Sequence, residues 1–194
     1  MTIQSTLHGY RVQFLYTLYR MMRSGNPQEV FMPEGKEDLD IYVEGILKEC
    51  AQVKCHAGTL TYRDLYSTGR KTSLYSRAID SIGENPNVKV TIISINGKIS
   101  DELTDRAKLK RKLKGDPELK LKERDAKNLA MIIDAAVVNE QEMLSVISSE
   151  LKSRFTEIDT ILNIRLLTQW IYEAAQNCSA EYATIASKFI LKIR

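Results

Sequence analysis

Cysteine and histidine are scarce in this chain of 194 residues, with three of the first and two of the second. Cys50, Cys55 and Cys178 make neither an even set nor a Cys-x-x-Cys pair, which argues against a disulfide framework and for reduced thiols in a cytoplasmic setting. His8 and His56 are too few and too isolated to suggest a zinc centre. Long apolar runs are missing as well. None approaches the roughly 20 residues that cross a bilayer, and the N-terminus lacks an apolar signal-peptide core, so no membrane partner is expected. An excess of one charge is absent too: 28 Lys and Arg face 25 Asp and Glu, a net +3. Any argument for nucleic acid must then rest on where the positive charges sit. What is present is ordinary, with 43% hydrophobic and 27% charged residues. That suffices for one good core, or for one domain with a helical extension.

The most specific chemistry lies between Glu34 and Lys54. Read as a strand, Leu39, Ile41 and Val43 point one way while Asp38, Asp40 and Tyr42 point the other. In a second strand Gln52 and Lys54 share a face and Val53 points away into a core. Two turns can join the strands. A two-residue loop at Glu44-Gly45 pairs Asp40 with Glu49 and sends Gln52 and Lys54 to the opposite face. A three-residue loop, Val43-Glu44-Gly45, sets glycine at the left-handed position of a type I turn with a G1 bulge. That register brings Asp38, Asp40, Gln52 and Lys54 to one face, because a one-residue slip flips every side chain. A strict ladder leaves Lys54 nearer Glu34 than Asp40, so twist or a bulge must close the gap, or Glu34 and Asp38 share the ligand role. Carboxylates, an amide oxygen and an ammonium on one surface make a divalent-metal site with a lysine beside it.

Around this hairpin the pattern is α/β. Residues 5–22 read as an amphipathic helix with Tyr10, Phe14, Leu18 and Met21 or Met22 at helical spacing, ended by Gly25-Asn26-Pro27. Val30-Phe31-Met32 reads as a short strand. Thr59 and Thr61 offer N-cap oxygens to a helix opening at Tyr62. Residues 73–82 read as helix, and Val88 to Ile95 as a buried strand. The character changes at about Ser100. Residues 106–127 hold ten Lys or Arg against four acids, interrupted by Gly115-Asp116-Pro117. From Asn128 onward Leu129, Ile132, Ile133, Ala136 and Val137, then Leu144, Ile147 and Leu151, predict two to four helices forming a bundle or cap. Glycine does not recur after Gly115. The expected organisation is a core over 1–100 and a basic linker with a helical bundle over 101–194.

The pieces G-Y-R-V-Q-F-L-Y-T-L-Y, P-E-G-K-E-D-L-D-I, A-Q-V-K, L-T-Y-R-D-L and V-K-V-T-I-I-S-I, in that order over residues 8–96, resemble the active core of the PD-(D/E)XK nuclease superfamily. More narrowly, they are similar to the double-strand DNA nuclease domain at the N-terminus of bacterial antiphage defence effectors. The departure is Gln52, which stands where the superfamily pattern has Asp or Glu, as in Mrr-like branches. The resemblance implies a restriction-endonuclease-like mixed sheet flanked by helices, with a C-terminal helical extension. It also implies Mg²⁺ or Mn²⁺ held by Asp40 with Glu34 or Asp38, the Gln52 oxygen and the Val53 carbonyl, and Lys54 beside the attacking water. Gln13, on the first helix, corresponds to a polar residue that related nucleases direct towards the metal; read alone it is a surface glutamine. Read alone, Lys54 is an exposed strand lysine.

Phosphate contacts are expected from Arg70, Lys71 and Arg77, close to the site, and from Lys110, Arg111 and Lys112 in the basic stretch. The plain alternative for all six is a solvated charged face. No helix-turn-helix pattern stands out, so a nuclease of this kind would cut duplex DNA with little sequence preference. The resemblance further implies a bacterial cytoplasmic defence effector that acts as a homo-oligomer, held in check until a sensor or partner ATPase, fused or separate, clusters several copies. The ending Phe189 to Arg194 suggests a fragment of a larger protein or a small subunit. Two other classes fit the same residues: a nucleic-acid-binding module that has lost cleavage, and a helical assembly protein in which the α/β part is scaffold.

Overall fold

Apolar residues at helical spacing produce one long N-terminal helix, α1 (Ile3–Arg23), in a computed structural model that describes residues 3–55, 57–65, 73–154 and 159–176. Seven strands follow along the chain: β1 (Glu29–Pro33), β2 (Leu39–Val43), β3 (Ile46–Cys55), β4 (Thr59–Leu60), β5 (Lys89–Ile95), β6 (Lys98–Ile99) and β7 (Ile133–Val138). Between and after them lie α2 (Leu74–Glu84), α3 (Asp101–Thr104), α4 (Arg106–Gly115), α5 (Glu123–Ile132), α6 (Glu140–Arg154) and α7 (Thr160–Gln176). The fold is mixed α/β. Five strands form one sheet in the order β1-β2-β3-β5-β7, and β4 and β6 form a separate pair. β1 and β2 run antiparallel while β3 and β5 run parallel, so the large sheet is mixed.

The chain divides into two compact units, Met1–Leu47 with Val138–Arg194, and Lys48–Val137. Residues beyond 100 therefore contribute to both. In the first unit α1 packs against α6, α7 and β1. Phe14, Leu18, Met21 and Met22 are buried as their spacing predicts, but so are Val12, Leu15, Tyr16 and Tyr19, so the helix is covered on most of its circumference. Tyr10 is the exception to the expected stripe. It is 45% exposed, because its ring lies at the edge of that cover, stacked loosely on Phe14 at 6.4 Å.

In the second unit Val90, Ile92 and Ile133 from the strands meet Leu74, Tyr75 and Ala78 of α2, Leu109 and Leu113 of α4, and Leu129 and Ala130 of α5. Each such side chain, fully buried, contributes about 1.5–3 kcal/mol. The β-branched run of β5 is buried from Val90 to Ile95, as a central strand covered on both faces requires. α2 starts where Ser73 accepts a hydrogen bond from the Ser76 N–H, a side-chain N-cap.

Two expectations change, and one open choice closes. Residues 128–138 are not one continuous helix: α5 stops at Ile132, and Ile133 to Val138 form β7. Ile132, Ile133, Val137 and Val138 are β-branched, and pairing at the sheet edge outweighs the helix-like spacing. Where a helix was expected from Tyr62, the chain makes a 3-10 turn over Tyr62–Leu65, and residues 66–72 lie outside the described residues. Thr59 lies in β4, and Thr61 gives its N–H and hydroxyl to the Asp64 carboxylate instead of capping with its own oxygen. Finally, the hairpin turn has two residues, not three. Glu44 and Gly45 lie between β2 and β3 with φ of 53° and 76°, the paired left-handed conformation of a type I′ turn, whose twist matches the strands it joins.

Candidate active site

Asp40 lies in β2 opposite Met32 of β1 and is completely buried. The preceding loop wraps around its carboxylate. Glu34 takes a left-handed φ of 54° and its N–H bonds the Asp38 carbonyl at 3.1 Å, which bends the chain back on itself. The Lys36 N–H then donates to Asp40 Oδ2 at 2.7 Å, and the Glu37 N–H to Oδ1 at 3.3 Å. Gly35 makes this closure possible, since a Cβ there would stand 2.4 Å from Oδ2. A carboxylate offers about four acceptor sites, and Asp40 makes contacts beyond these two.

The expected partners of Asp40 divide. Glu34 is exposed at the bend and Asp38 is half-buried. Glu37, which sequence reasoning passed over, is only 7% exposed. The signal was available: in P-E-G-K-E-D-L-D it is the acid that follows the tight turn at Gly35. Gln13 is half-buried on α1, and its Oε1 is one of two buried side-chain oxygens without a partner among the described residues. Leaving such an atom unpaired costs about 1–3 kcal/mol, and the first unit thus holds an orphaned oxygen donor as well as two buried carboxylates.

The second unit carries the Gln-x-Lys half. Successive strand residues alternate faces, so Gln52 and Lys54 share a face of β3 and Val53 points the other way, where it is 3% exposed. Gln52 stands in register with Ile92 and Lys54 with Ser94, which is fully buried. Gln52 is itself 7% exposed, and Arg77 of α2 donates from Nη2 to its Oε1 over 3.3 Å. Lys54 is half-buried and forms no ion pair among the described residues.

Among the described residues no group of three or more His, Cys, Asp or Glu side chains converges. The donors present are carboxylate and amide oxygens, the hard ligands that suit Mg²⁺ or Mn²⁺ rather than zinc.

Half of the basic stretch is tied to acids among the described residues. Lys108 pairs with Asp101 at 3.1 Å, Lys112 with Glu102 at 2.9 Å, Lys114 with Glu123 at 2.7 Å, and Lys110 also with Glu123. The Lys110 and Lys114 ammonium groups pull the Glu123 carboxyl from its ordinary 4.5 down to about 2. Lys112, with the Tyr62 N–H, lowers that of Glu102. Arg111 is exposed and forms no ion pair among the described residues. Arg70 and Lys71 lie outside the described residues. A separate apolar cleft of about 670 Å³ lies in the first unit, lined by Phe14, Leu144, Ile164 and Tyr172 with Arg11 and Arg165. None of the expected site residues lines it. Comparison of the chain with models of known protein families, with curated proteins and with solved structures returned no match.

Among the described residues no helix is long and apolar enough to cross a membrane.

Proposed function

We propose that this chain is a metal-dependent endodeoxyribonuclease that cuts duplex DNA with little sequence preference. The observation that supports it most is the loop before β2, in which a glycine gives way so that two backbone N–H groups close on the buried Asp40 carboxylate. A backbone loop built around one acidic side chain suits a carboxylate whose oxygens must be held in a fixed direction. Asp40 and Glu37 would hold Mg²⁺ or Mn²⁺ with the Gln52 oxygen and the Val53 carbonyl, and Gln13 would fill its unmet acceptor need towards the same cation or its water. When bound, the ion supplies an activated water and offsets charge on the scissile phosphate. Lys54, on the Gln52 face of β3, orients that water and stabilises the negative charge that develops on phosphate oxygens. The cellular role consistent with this is an antiphage effector in the bacterial cytoplasm, acting as a homo-oligomer gathered by a sensor or partner ATPase.

The test is plasmid digestion with Mg²⁺ or Mn²⁺ against EDTA, run beside Lys54→Ala. Loss of one electrostatic stabiliser should cut the rate by about a hundredfold or more, with folding and DNA affinity retained. Undiminished cleavage by the variant would remove Lys54 from the chemistry. A second reading rests on Gln52, a neutral amide where the superfamily pattern has a carboxylate, with the Arg77 guanidinium donating to its oxygen. It describes a nucleic-acid-binding module without cleavage. DNA binding with no metal-dependent nicking of the plasmid favours it.

A further inference from the structure

The large sheet has two edges, and the chain treats them differently. β1, at one end of the strand order, finishes in Pro33, which has no N–H to offer, and packs against α1 and α7. β7, at the other end, has a sheet neighbour on one side only, β5. A strand so placed leaves a row of backbone N–H and C=O groups outside the ladder, and lysine or proline on the edge is the common protection. From Ala135 to Val138 β7 has neither, only two alanines and two valines. Ala136 is exposed, and Val137 is 54% exposed.

Donors and acceptors spaced along an extended backbone are matched by another strand, which repeats them at the same interval. A second copy of this chain brings one open edge, its own β7, because proline and helices close β1. Pairing a strand with itself about a two-fold axis runs the copies antiparallel and completes the contact at two chains. The charges permit it. Asp134 is the one charged residue of β7, and it is already held by Arg106 and, at 3.4 Å, by Lys89. The middle of the strand then meets its mate through alanine and valine, and β-branched side chains pack well across strands.

We propose that β7 is the edge through which this protein binds a second copy of itself, two chains joining by antiparallel pairing of their β7 strands. The contact uses none of the proposed nuclease residues and stands whether or not the chain cuts DNA. One strand of six residues makes an interface at the small end of the range, below about 1,200 Å² in total. The dimer is therefore reversible, with a dissociation constant in the micromolar range.

Sedimentation of the full chain, from low micromolar concentration to near millimolar, should show monomer passing to dimer. Hydrogen exchange on the same samples should slow among residues 134–138 as the dimer fills. Val137→Lys and Val137→Glu, each setting like charges across the contact, should weaken the dimer about tenfold or more and melt like the wild type when dilute. Mixed in equal parts, the two variants should regain association, which a strand damaged in its own fold would not do. A chain that stays monomeric near millimolar concentration overturns the proposal. So does a dimer that both charged variants leave intact, or a mixture of the two that stays apart. Should either variant fail to fold, exchange in the wild type decides: a dimer that protects other amides and leaves residues 134–138 unchanged overturns it as well.

Discussion

Gly35 is held to glycine by Asp40, whose carboxylate occupies the space a side chain would need. A Cβ at 2.4 Å from Oδ2 is closer than real atoms approach, so in Gly35→Ala either the loop opens or Asp40 turns out of place. The expected cost is about 1–3 kcal/mol, that of overpacking a filled site, and metal-dependent cleavage should fall with it. Gly25 is the control, because nothing lies within 4 Å of where its Cβ would be. Gly25→Ala should stay within about 0.5 kcal/mol of the wild type. Urea unfolding of the two variants decides the matter. Equal stability would mean the loop does not need its bonds to Asp40. At this scale the sequence was partly legible. Asp40 and the Gln-x-Lys pair stood out because acid, amide and amine recur with period two. Glu37 did not, because its burial follows from the left-handed bend at Glu34, and a glutamate is an unfavourable choice for that conformation. The Arg77–Gln52 bond was out of reach for another reason: 25 positions and a strand-to-helix contact separate the two.

At the scale of elements, the junction between α5 and β7 is tied by one side chain. Arg106, at the start of α4, gives hydrogen bonds to the carbonyls of Ala130 and Ile133 and pairs with the Asp134 carboxylate. The last carbonyls of a helix have no partner of their own, so Arg106 caps α5 where the chain turns into the strand. Arg106→Ala should lower stability by about 1.5–3 kcal/mol, the range for hydrogen bonds to a charged donor. Arg106→Lys should recover only part of it, lacking the fork. Thermal melts compare them, and an unaffected alanine variant would show that β7 forms without the tie. Here lies the reason β7 escaped sequence reading. Ile132, Ile133, Ala136 and Val137 satisfy helical spacing as well as strand preference, and the choice is made by a cap 24 residues upstream. β5 gave no such ambiguity, since β-branched residues fill six of the eight positions from Val88 to Ile95. The same region sets a pH response. Glu123 keeps its charge down to about 2 in the folded chain because Lys110 and Lys114 hold it, against an ordinary 4.5. A depressed carboxyl contributes stability that is complete above its unfolded value and is lost as pH falls through the folded one. The difference in melting temperature between wild type and Glu123→Gln should therefore be present at pH 6, shrink below about 4.5 and vanish near 2. It should also shrink in salt, the pairs being exposed. A difference constant from pH 6 to 2 would mean that the carboxylate charge is not what joins α4 to α5.

For the whole molecule, the proposed nuclease must hold a polyanion with a net charge of only +3. Of the ten basic residues in 106–127, Arg106, Lys108, Lys110, Lys112 and Lys114 are engaged by Asp134, Asp101, Glu123, Glu102 and Glu123 in turn. Arg111, Lys120, Lys122, Arg124 and Lys127 form no ion pair among the described residues. A cation already neutralised by a carboxylate releases little counterion on meeting a phosphate, whereas a free one adds about 0.9 to the slope of log affinity against log salt. The triple change of Lys110, Arg111 and Lys112 to Ser thus removes one free cation, not three. Its slope should fall by at most about one, measured by fluorescence anisotropy on a short duplex in EDTA so that no cleavage intervenes. A fall of two or more would mean that Glu102 and Glu123 release their lysines to DNA, and that the helix pairs seen here are a resting arrangement exchanged for phosphate. For a nuclease of the proposed kind, a gathering of copies would multiply the grip of each on a duplex without any new contact.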